Sequence, residues 1–300
     1  MIFIKLSHKI SKWIDRNTVS LSGKTVAITG STGGLGKELC SYLAHLGASL
    51  ILVDRSEARS KAHAEDIVRD FPSIRVTRVN ADLSDFESVK NATEILKGLP
   101  IDYFIHNAGA YSIPRNITSI GYDNVYTINF ISPYYMIREL MPFLKARGGK
   151  AVVVGSIAHN YSKVDSNDID FRGRKRASLV YGNAKRYLTY ALLEYYKEDA
   201  STVAVTHPGI SFTNITAHYP PFVFFIIKHP MKIIFMKPRI ACLSILKGLF
   251  SNTSNTEWIG PSLFDVWGMP RKKPLLTANE SERDFILKTA EKIYSDIKGC

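Results

Sequence analysis

Short apolar runs alternate with helical patterns along most of this chain of 300 residues. The run Thr25 to Ile28 is followed by leucines at helical spacing, namely Leu35, Leu39, Leu43 and Leu46. Further strand-like runs are Ser49 to Val53, Arg75 to Val79, Ile101 to Ile105, Lys150 to Val154 and Thr202 to Thr206. Strands that alternate with helices pair in parallel, and the helices cover both faces of the sheet. The sequence therefore predicts an α/β fold with a doubly wound parallel sheet.

The chain is expected to form a single domain. Its 45% hydrophobic content supports a sizeable core, and no repeat, low-complexity segment or Pro/Gly/Ser-rich linker is visible. We expect a basic amphipathic segment at 1–20, the main domain at 21–270 with an insertion at 210–250, and a C-terminal helix at 271–300.

The net charge is +12, and part of it concentrates near the N-terminus. Lys5, Lys9, Lys12 and Arg16 stand there against Asp15, and the apolar residues Phe3, Leu6, Ile10 and Trp13 recur at helical spacing. Such a segment either rests on a membrane surface or caps a core. Because the basic residues are spread out and no nucleic-acid-binding motif is visible, we expect no nucleic-acid partner.

A stretch without Asp or Glu runs from Ala200 to Thr256 and contains the apolar segment Tyr219 to Met236. Lys228 and Lys232 interrupt this segment, whereas a membrane-spanning helix needs about 20 apolar residues. The three cysteines have no pairing or metal-ligand spacing. We therefore expect a reducing, cytoplasmic location and no metal site. The sequence leaves peripheral membrane contact and a homo-oligomer open.

A glycine-rich turn, Thr29-Gly30-Ser31-Thr32-Gly33-Gly34-Leu35-Gly36, lies between the first strand and its helix. Glycines there allow a tight turn and let a pyrophosphate approach the helix N-terminus, as in a Rossmann-type dinucleotide site. Asp54 ends the second strand, 18 residues beyond Gly36. An acid at that place binds a ribose 2′-hydroxyl and favours NAD. Arg55 can bind the 2′-phosphate of NADP instead, so both cofactors stay open.

Tyr181 and Lys185 lie downstream and are four residues apart, which places them on one face of a helix. A nearby lysine charge lowers the pKa of a tyrosine from about 10. The pair can therefore move a proton to or from an alcohol oxygen. Tyr294 and Lys298 have the same spacing, but we interpret them as surface residues because no dinucleotide motif precedes them locally.

In this order the motifs resemble the short-chain dehydrogenase/reductases, over residues 22 to 270. The glycine run fits that family's compact branch through Gly34 and its extended, epimerase-like branch through Gly33. His106-Asn107-Ala108-Gly109 favours the compact branch, with His106 replacing the family's first asparagine. The residues that match the family's cofactor contacts are Thr29, Gly30, Ser31, Thr32, Gly34, Leu35, Gly36, Asp54, Arg55, Asp82, Leu83, Asn107, Ala108, Gly109, Tyr181, Lys185, Pro208, Gly209 and Thr213.

The resemblance also implies a catalytic tetrad of Asn129, Ser156, Tyr181 and Lys185. In such a tetrad the tyrosine transfers the proton and the lysine tunes it and holds the nicotinamide ribose. The serine stabilises the substrate oxygen, and the asparagine positions a relay water. The implied reaction is hydride transfer between NAD or NADP and a carbonyl or alcohol carbon.

Finer features are similar to retinol-dehydrogenase-like and protochlorophyllide-reductase-like members. Ser156 and Tyr181 are 25 residues apart, and the insertion between them contains Asp168-Ile169-Asp170-Phe171. Glu257-Trp258-Ile259-Gly260-Pro261 also fits that group. Such members often take bulky apolar substrates, and Tyr219 to Met236 lies where relatives have a substrate-covering loop.

Two other functions remain as alternatives. One is a non-catalytic NAD(P)-binding regulatory protein, which has no need to keep the whole tetrad. The other is a sugar-nucleotide epimerase, which the Asn107-Ala108-Gly109 segment and the apolar region after residue 219 disfavour. His159 and His207 have no third ligand at suitable spacing, so we expect them to be structural or to line a pocket.

Overall fold

The computed structural model describes residues 8–209, 236–275 and 277–299, which form one eight-stranded sheet. The strands are β1 (Thr25–Thr29), β2 (Ser49–Asp54), β3 (Val76–Asn80), β4 (Tyr103–His106), β5 (Lys150–Val154), β6 (Val203–Thr206), β7 (Glu257–Leu263) and β8 (Trp267–Pro274). Their order is β3-β2-β1-β4-β5-β6-β7-β8. Strands β1 to β7 are parallel, and β8 pairs antiparallel with β7 at one edge. The predicted parallel sheet is confirmed, with one antiparallel edge strand added.

Helices cover both faces of this sheet. In the described residues they are α1 (His8–Asn17), α2 (Gly34–His45), α3 (Glu57–Asp70), α4 (Phe86–Lys97), α5 (Asn124–Tyr126), α6 (Ser132–Ala146), α7 (Ala177–Tyr195), α8 (Pro238–Ala241), α9 (Leu243–Phe250) and α10 (Glu280–Lys298). A π-helical turn (Thr127–Ile131) joins α5 to α6. Turns of 3₁₀ helix follow β5 (Ile157–Tyr161) and α7 (Lys197–Asp199).

Alternate side chains of each strand enter two separate cores, because successive residues of a strand point to opposite faces. In β5, Val152 and Val154 pack in the core that holds residues of α1, α2, α3 and α9. Ala151 and Val153 pack in the core that holds residues of α4, α6, α7 and α10. Side chains on both faces of the sheet are buried, which explains why the strands are continuous apolar runs in the sequence.

Helix α1 uses its apolar side to close one of these cores. Ile10 and Ile14 are 7% and 4% exposed, and Trp13 packs partly buried against the same cluster. The basic residues Lys9 and Lys12 stay exposed. The amphipathic pattern of this segment therefore serves core packing, at least over the described residues; Phe3 and Leu6 lie outside them.

The C-terminal part begins as a strand rather than as a helix. Strand β8 runs across residue 270, the expected domain boundary, and α10 starts only at Glu280, where Asn279 caps it by accepting a hydrogen bond from the Glu282 amide. The expected insertion at 210–250 is described only from residue 236 onward, where α8 and α9 lie. Within the three described ranges, no helix combines the length and apolarity needed to cross a bilayer.

The strand order reverses direction between β1 and β4. The chain moves outward from β1 to β3, then returns to place β4 on the other side of β1. In open parallel sheets a crevice forms at such a switch point, at the carboxyl ends of the strands. Thr29 and His106 end the two strands there, so the loops that follow them face the same crevice.

Candidate active site

A cavity of about 410 Å³ occupies this crevice. Most of the sequence-predicted cofactor residues line it, namely Thr29, Gly30, Thr32, Gly34, Leu35, Gly36, Asp54, Arg55, Asp82, Leu83, Asn107, Ala108 and Gly109. They come from three chain segments that follow β1, β2 and β4, and from the loop after β3. Its volume falls within the range of about 300–1,000 Å³ that is usual for ligand sites.

The glycine-rich turn is shaped by close backbone approach. Gly30 has a φ of +68°, and a Cβ there would lie 3.0 Å from the Cα of Ala108. A Cβ on Gly36 would lie 2.1 Å from the carbonyl oxygen of Gly30. No side chain of the described residues caps the N-terminus of α2 at Gly33. Its first-turn N–H groups are therefore available to an anion such as a pyrophosphate.

Asn107 ties the end of β4 to the glycine turn. Its side-chain amide donates to the carbonyl oxygens of Thr29 and Gly30, both at 3.1 Å. The backbone N–H groups of Asn107 and Ala108 donate to the Thr29 hydroxyl at 3.1 and 3.0 Å. These four bonds hold two walls of the cavity at a fixed distance.

Asp54 is placed differently from the expectation of a ribose ligand. It is only 4% exposed and accepts hydrogen bonds from the hydroxyls of Ser31 at 2.5 Å, Ser60 at 3.0 Å and Thr32 at 3.3 Å, and from the Thr32 amide at 3.2 Å. Both carboxylate oxygens are thus engaged by the protein. Asp54 anchors the glycine-rich turn, and Ser31 is fully buried beneath that turn rather than on the cavity wall.

Arg55 and Arg59 present the opposite charge to the same end of the cavity. Both line it, and both are exposed. The Arg55 guanidinium lies 3.9 Å from a carboxylate oxygen of Asp82. The sequence analysis did not single out Arg59, although it lies one helical turn after Arg55 at the start of α3.

Tyr181 and Lys185 lie on α7, beside the far end of the cavity. The ammonium of Lys185 is buried and donates to the carbonyl oxygen of Val154 at 2.8 Å. Its Nζ lies 5.8 Å from the centroid of the Tyr181 ring. Tyr111, which lines the cavity, makes an edge-to-face contact with that ring at 5.4 Å. Tyr111 therefore connects the cavity wall to Tyr181, a role that the sequence analysis missed.

Burial controls the pKa values of this pair. It raises the pKa of Tyr181 to about 12, against a lowering by the hydrogen bond with the Ser156 side chain. It lowers the pKa of Lys185 to about 7. The pKa of Tyr181 is therefore raised and not lowered as expected, because burial disfavours the charged forms of both groups.

Ser156 follows β5, and its side chain forms a hydrogen bond with Tyr181. It caps the 3₁₀ turn 157–161, with its hydroxyl oxygen accepting from the Ala158 amide at 3.2 Å. It is partly exposed, so its hydroxyl can still reach a ligand. Three members of the predicted tetrad, Ser156, Tyr181 and Lys185, are thus brought together.

Asn129 lies in the π-helical turn and is fully buried. Its side-chain amide donates to the carbonyl oxygens of Ala110 and Val125, both at 2.8 Å, and its Oδ1 accepts from the Ala110 amide at 3.2 Å. A Cβ on Gly109 would lie 2.8 Å from that Oδ1 and 3.6 Å from the Lys185 Nζ. Asn129 therefore lies close to Lys185 and fixes the loop after β4.

The family model for short chain dehydrogenase matches residues 24–166, which contain the glycine turn, the β4 loop, Asn129 and Ser156. This chain belongs to the short-chain dehydrogenase/reductase family. Retinol dehydrogenase 12 of Mus musculus is 28% identical over 204 residues, covering 66% of this chain and 65% of that protein. Polyprenol dehydrogenase of Mus musculus is 27% identical, covering 65% of this chain and 62% of that protein.

The match therefore spans slightly less than two thirds of these relatives. Solved structures agree on the fold of the short-chain dehydrogenase/reductases. A protein from Mycobacterium paratuberculosis superposes with a TM-score of 0.70 at 21% identity, over 93% of this chain and 96% of that one. The NADPH-dependent 3-quinuclidinone reductase of Rhodotorula rubra gives a TM-score of 0.61 at 19% identity, over 85% and 94%.

Three buried histidines lie on segments that carry the site, at the end of β4, in the turn after Ser156 and directly after β6. Burial lowers the pKa of His106 to about 3, of His159 to about 4 and of His207 to about 3. His207 stacks on Trp258, and His159 meets the same ring edge-on. Among the described residues no group of His, Cys, Asp or Glu is arranged to hold a metal.

Pro208 and Gly209 follow β6 at the same edge of the sheet, and both are buried. Gly209 has a φ of +80°, and a Cβ there would lie 2.7 Å from the Val266 carbonyl oxygen. Thr213 and residues 219–235 lie outside the described residues. The groups that are described fit a nicotinamide dinucleotide, because an uncapped helix N-terminus and two exposed guanidinium groups meet a cavity that ends near Tyr181.

Proposed function

We propose that this short-chain dehydrogenase/reductase transfers a hydride between a nicotinamide cofactor and the carbonyl or alcohol carbon of an apolar substrate. One observation carries the proposal. Tyr181 is hydrogen-bonded to Ser156 and has the buried Lys185 one helical turn after it, and its ring contacts Tyr111, which lines the cavity of about 410 Å³.

The cofactor would supply the hydride when bound, while the side chains of this chain orient the reactants and handle the proton. Tyr181 would donate its proton to the substrate oxygen in reduction and accept it in oxidation. Ser156 would hydrogen-bond the same oxygen and stabilise its developing charge. Lys185 would hold the nicotinamide ribose, and Asn129 would keep the β4 loop in place and position a relay water.

A turnover assay tests this function. Purified protein is mixed with NADPH or NADH and a panel of aldehydes and ketones, and the loss of reduced cofactor is followed. We expect turnover with hydrophobic carbonyls. Cofactor binding without turnover of any carbonyl would favour a regulatory NAD(P)-binding protein. Conversion of sugar nucleotides with retained cofactor would favour an epimerase.

For the cofactor, the geometry supports a preference for NADP(H) over the NAD(H) that Asp54 first suggested. Asp54 already accepts four hydrogen bonds from the protein and is nearly inaccessible. Arg55 and Arg59 are exposed at the cavity and can pair with a 2′-phosphate. Asp54 then stabilises the turn and does not repel the phosphate through an exposed charge.

Arg55→Ala should weaken NADPH binding by about ten- to a hundredfold, the worth of a charged hydrogen bond of about 1.5–3 kcal/mol. NADH binding should change little, because NADH has no 2′-phosphate. Fluorescence titration of both reduced cofactors measures this. Arg78→Ala is the matched control, because Arg78 is exposed on β3 and does not line the cavity. Equal losses for the two cofactors in Arg55→Ala would contradict the preference.

An apolar substrate is supported by the names of the relatives and by the cavity wall near Tyr181. Relatives are named for retinol and polyprenol, which are long apolar alcohols. Tyr111, Ile113 and Ile128 are among the apolar residues of that wall. In the turnover assay, long-chain aldehydes should give a higher kcat/KM than small polar ones of the same reactivity. A preference for the small polar carbonyls would overturn this substrate class.

Any peripheral contact of α1 with a membrane is proposed to depend on its basic side chains and not on its apolar ones. The apolar side of α1 packs in the core, whereas Lys9, Lys12 and Arg16 are exposed and can attract anionic lipid. Co-sedimentation with vesicles of phosphatidylserine and phosphatidylcholine should show binding at low salt that high salt removes. A variant with all three residues changed to Gln should bind less. No binding at low salt would remove this proposal.

A further inference from the structure

Helix α7 carries two parallel pairs of residues with different tasks. Tyr181 and Lys185 form one pair, and Gly182 and Arg186 form the pair next to it on the helix surface. A Cβ on Gly182 would lie 2.4 Å from the Ala158 carbonyl oxygen. Arg186 donates to the His159 carbonyl oxygen at 3.0 Å. The second pair therefore docks onto the 3₁₀ turn that begins at Ser156.

Arg186 is a fully engaged buried cation. It is 2% exposed, and its five N–H groups match five hydrogen bonds. Two go to the Glu282 carboxylate, at 2.7 and 2.6 Å, in a forked pair. Two go to the Thr277 carbonyl oxygen at 2.6 Å and hydroxyl at 3.5 Å, and the fifth is the bond to His159. Burial alone would raise the pKa of Glu282, but the hydrogen bonds from Arg186 hold it below its ordinary value.

His159 connects Arg186 to Ser156, because it is hydrogen-bonded to both residues. Its Nδ1 lies 2.6 Å from the Ser156 carbonyl oxygen, and its backbone amide donates to the same oxygen at 3.1 Å. Glu282 also accepts a hydrogen bond from the Val164 amide at 3.3 Å, beyond the other end of the turn. The segment from Ser156 to Val164 is therefore held at both ends by groups that converge on α10.

We infer that Glu282 of α10 and Arg186 of α7 are positioning residues that set Ser156 against Tyr181, so that the C-terminal helix completes the active site. This rests on the proposed hydride-transfer function, in which Ser156 and Tyr181 bind the same substrate oxygen. Neither Glu282 nor Arg186 lines the cofactor cavity. Their loss should therefore affect the chemical step and leave cofactor binding intact.

The test compares Glu282→Gln with Glu194→Gln. The pair Arg283 and Glu194 also joins α10 to α7, with side chains 15% and 9% exposed, but it does not contact the turn after Ser156. Glu282→Gln should lower kcat by about ten- to a hundredfold, the usual effect of a small misplacement of a reacting group. The Kd for NADPH should stay within about twofold. Glu194→Gln should leave kcat and the Kd for NADPH unchanged, even if it lowers the Tm as much as Glu282→Gln does.

Two further readouts separate positioning from a general loss of stability. The Ser156 hydrogen bond lowers the pKa of Tyr181, so Glu282→Gln should shift the rise of alcohol oxidation with pH to higher pH. Hydrogen exchange at the backbone amides of 157–162 should quicken in Glu282→Gln and not in Glu194→Gln. If Glu282→Gln does not fold, Arg186→Lys, which keeps the charge and loses the fork, should give the same pattern.

Equal kcat for the two Gln variants, or exchange at 157–162 that is as slow in Glu282→Gln as in the wild type, would overturn the inference. The exchange experiment needs no substrate. If the wild type turns over no carbonyl or alcohol, the proposed function fails while the exchange result still decides whether α10 holds the turn.

Discussion

At the scale of single residues, burial acts in opposite directions on the two titratable groups at the centre of the site. It raises the pKa of the Tyr181 phenol to about 12 and lowers the pKa of the Lys185 ammonium to about 7. Tyr181 is therefore a protonated phenol near neutral pH, the form that donates a proton in carbonyl reduction. Burial disfavours the charged form of Lys185, whose ammonium donates a hydrogen bond to the Val154 carbonyl oxygen.

Tyr181→Phe should lower the reduction rate by about 10²–10⁴ and leave NADPH affinity nearly unchanged, because only the proton donor is lost. Steady-state kinetics and cofactor fluorescence measure the two effects. Tyr294→Phe is the control, since Tyr294 and Lys298 repeat the spacing on α10, where Tyr294 bonds Glu139 away from the cavity. A wild-type rate in Tyr181→Phe would remove Tyr181 from the mechanism.

The lowered pKa of Lys185 also predicts a pH dependence of stability. Between the folded pKa of about 7 and the unfolded value of about 10.4, the unfolded chain binds more protons, so this group makes stability rise with pH. Lys185→Met removes that dependence. The variant should gain stability over the wild type near pH 6, and this advantage should shrink by a few kcal/mol by about pH 10. Urea unfolding without cofactor, at both pH values, measures the difference; a constant difference would contradict the burial argument.

At the scale of elements, α1 shows how one pattern allows two structures. Its apolar spacing fits a membrane-surface helix and a core helix equally well. In the fold, Ile10 and Ile14 close the core beneath α2 and α9, while the basic residues face solvent.

Ile14→Ala should therefore destabilise the protein by about 2–5 kcal/mol, the cost of a cavity in a packed core. Urea unfolding gives this value. Lys12→Ala, on the exposed side of the same helix, should stay within about 0.5 kcal/mol of the wild type. A loss below about 0.5 kcal/mol in Ile14→Ala would mean that α1 does not pack as described.

At the scale of the whole molecule, the cavity exists because β1, β2 and β4 end at one edge of the sheet where the strand order reverses. A ligand there would contact several chain segments that are far apart in sequence. NADPH at about 100 times its Kd should stabilise the fold by about 2.7 kcal/mol through mass action. Thermal unfolding measures this as a rise in Tm.

Gly36→Ala should abolish that rise, because its Cβ would lie 2.1 Å from the Gly30 carbonyl oxygen and would displace the turn. Gly148→Ala is a control for the loss of a glycine, since nothing lies within 4 Å of a Cβ there, although its φ of +66° costs some stability. The control should keep the cofactor-induced rise in Tm. A rise that survives in Gly36→Ala would place the ligand elsewhere.

Much of the molecule was predictable because its signals are local. The strand rhythm, the glycine turn and the Tyr181–Lys185 spacing depend on neighbouring residues, whose backbone preferences and periodicity are written in the sequence. The predicted residues of the glycine turn and the β4 loop lie on one cavity, apart from Ser31 beneath it, and three of the predicted tetrad lie together beside it. Strands β7 and β8 were not predicted as strands, since prolines at 261, 270 and 274 hide their pattern.

What only the tertiary structure decided is which groups each polar side chain meets, and how much water it loses. The sequence placed Asp54 at the end of β2, but the hydroxyls of Ser31 and Ser60 come to it from two other segments and take its oxygens. It placed Lys185 beside Tyr181, but burial in the assembled fold is the largest influence on the pKa of both groups. It gave no sign that Glu282 reaches Arg186, because a contact across 96 residues depends on how α10 packs on α7. Such contacts depend on the assembled fold, since burial and hydrogen-bond partners arise only when distant segments pack together.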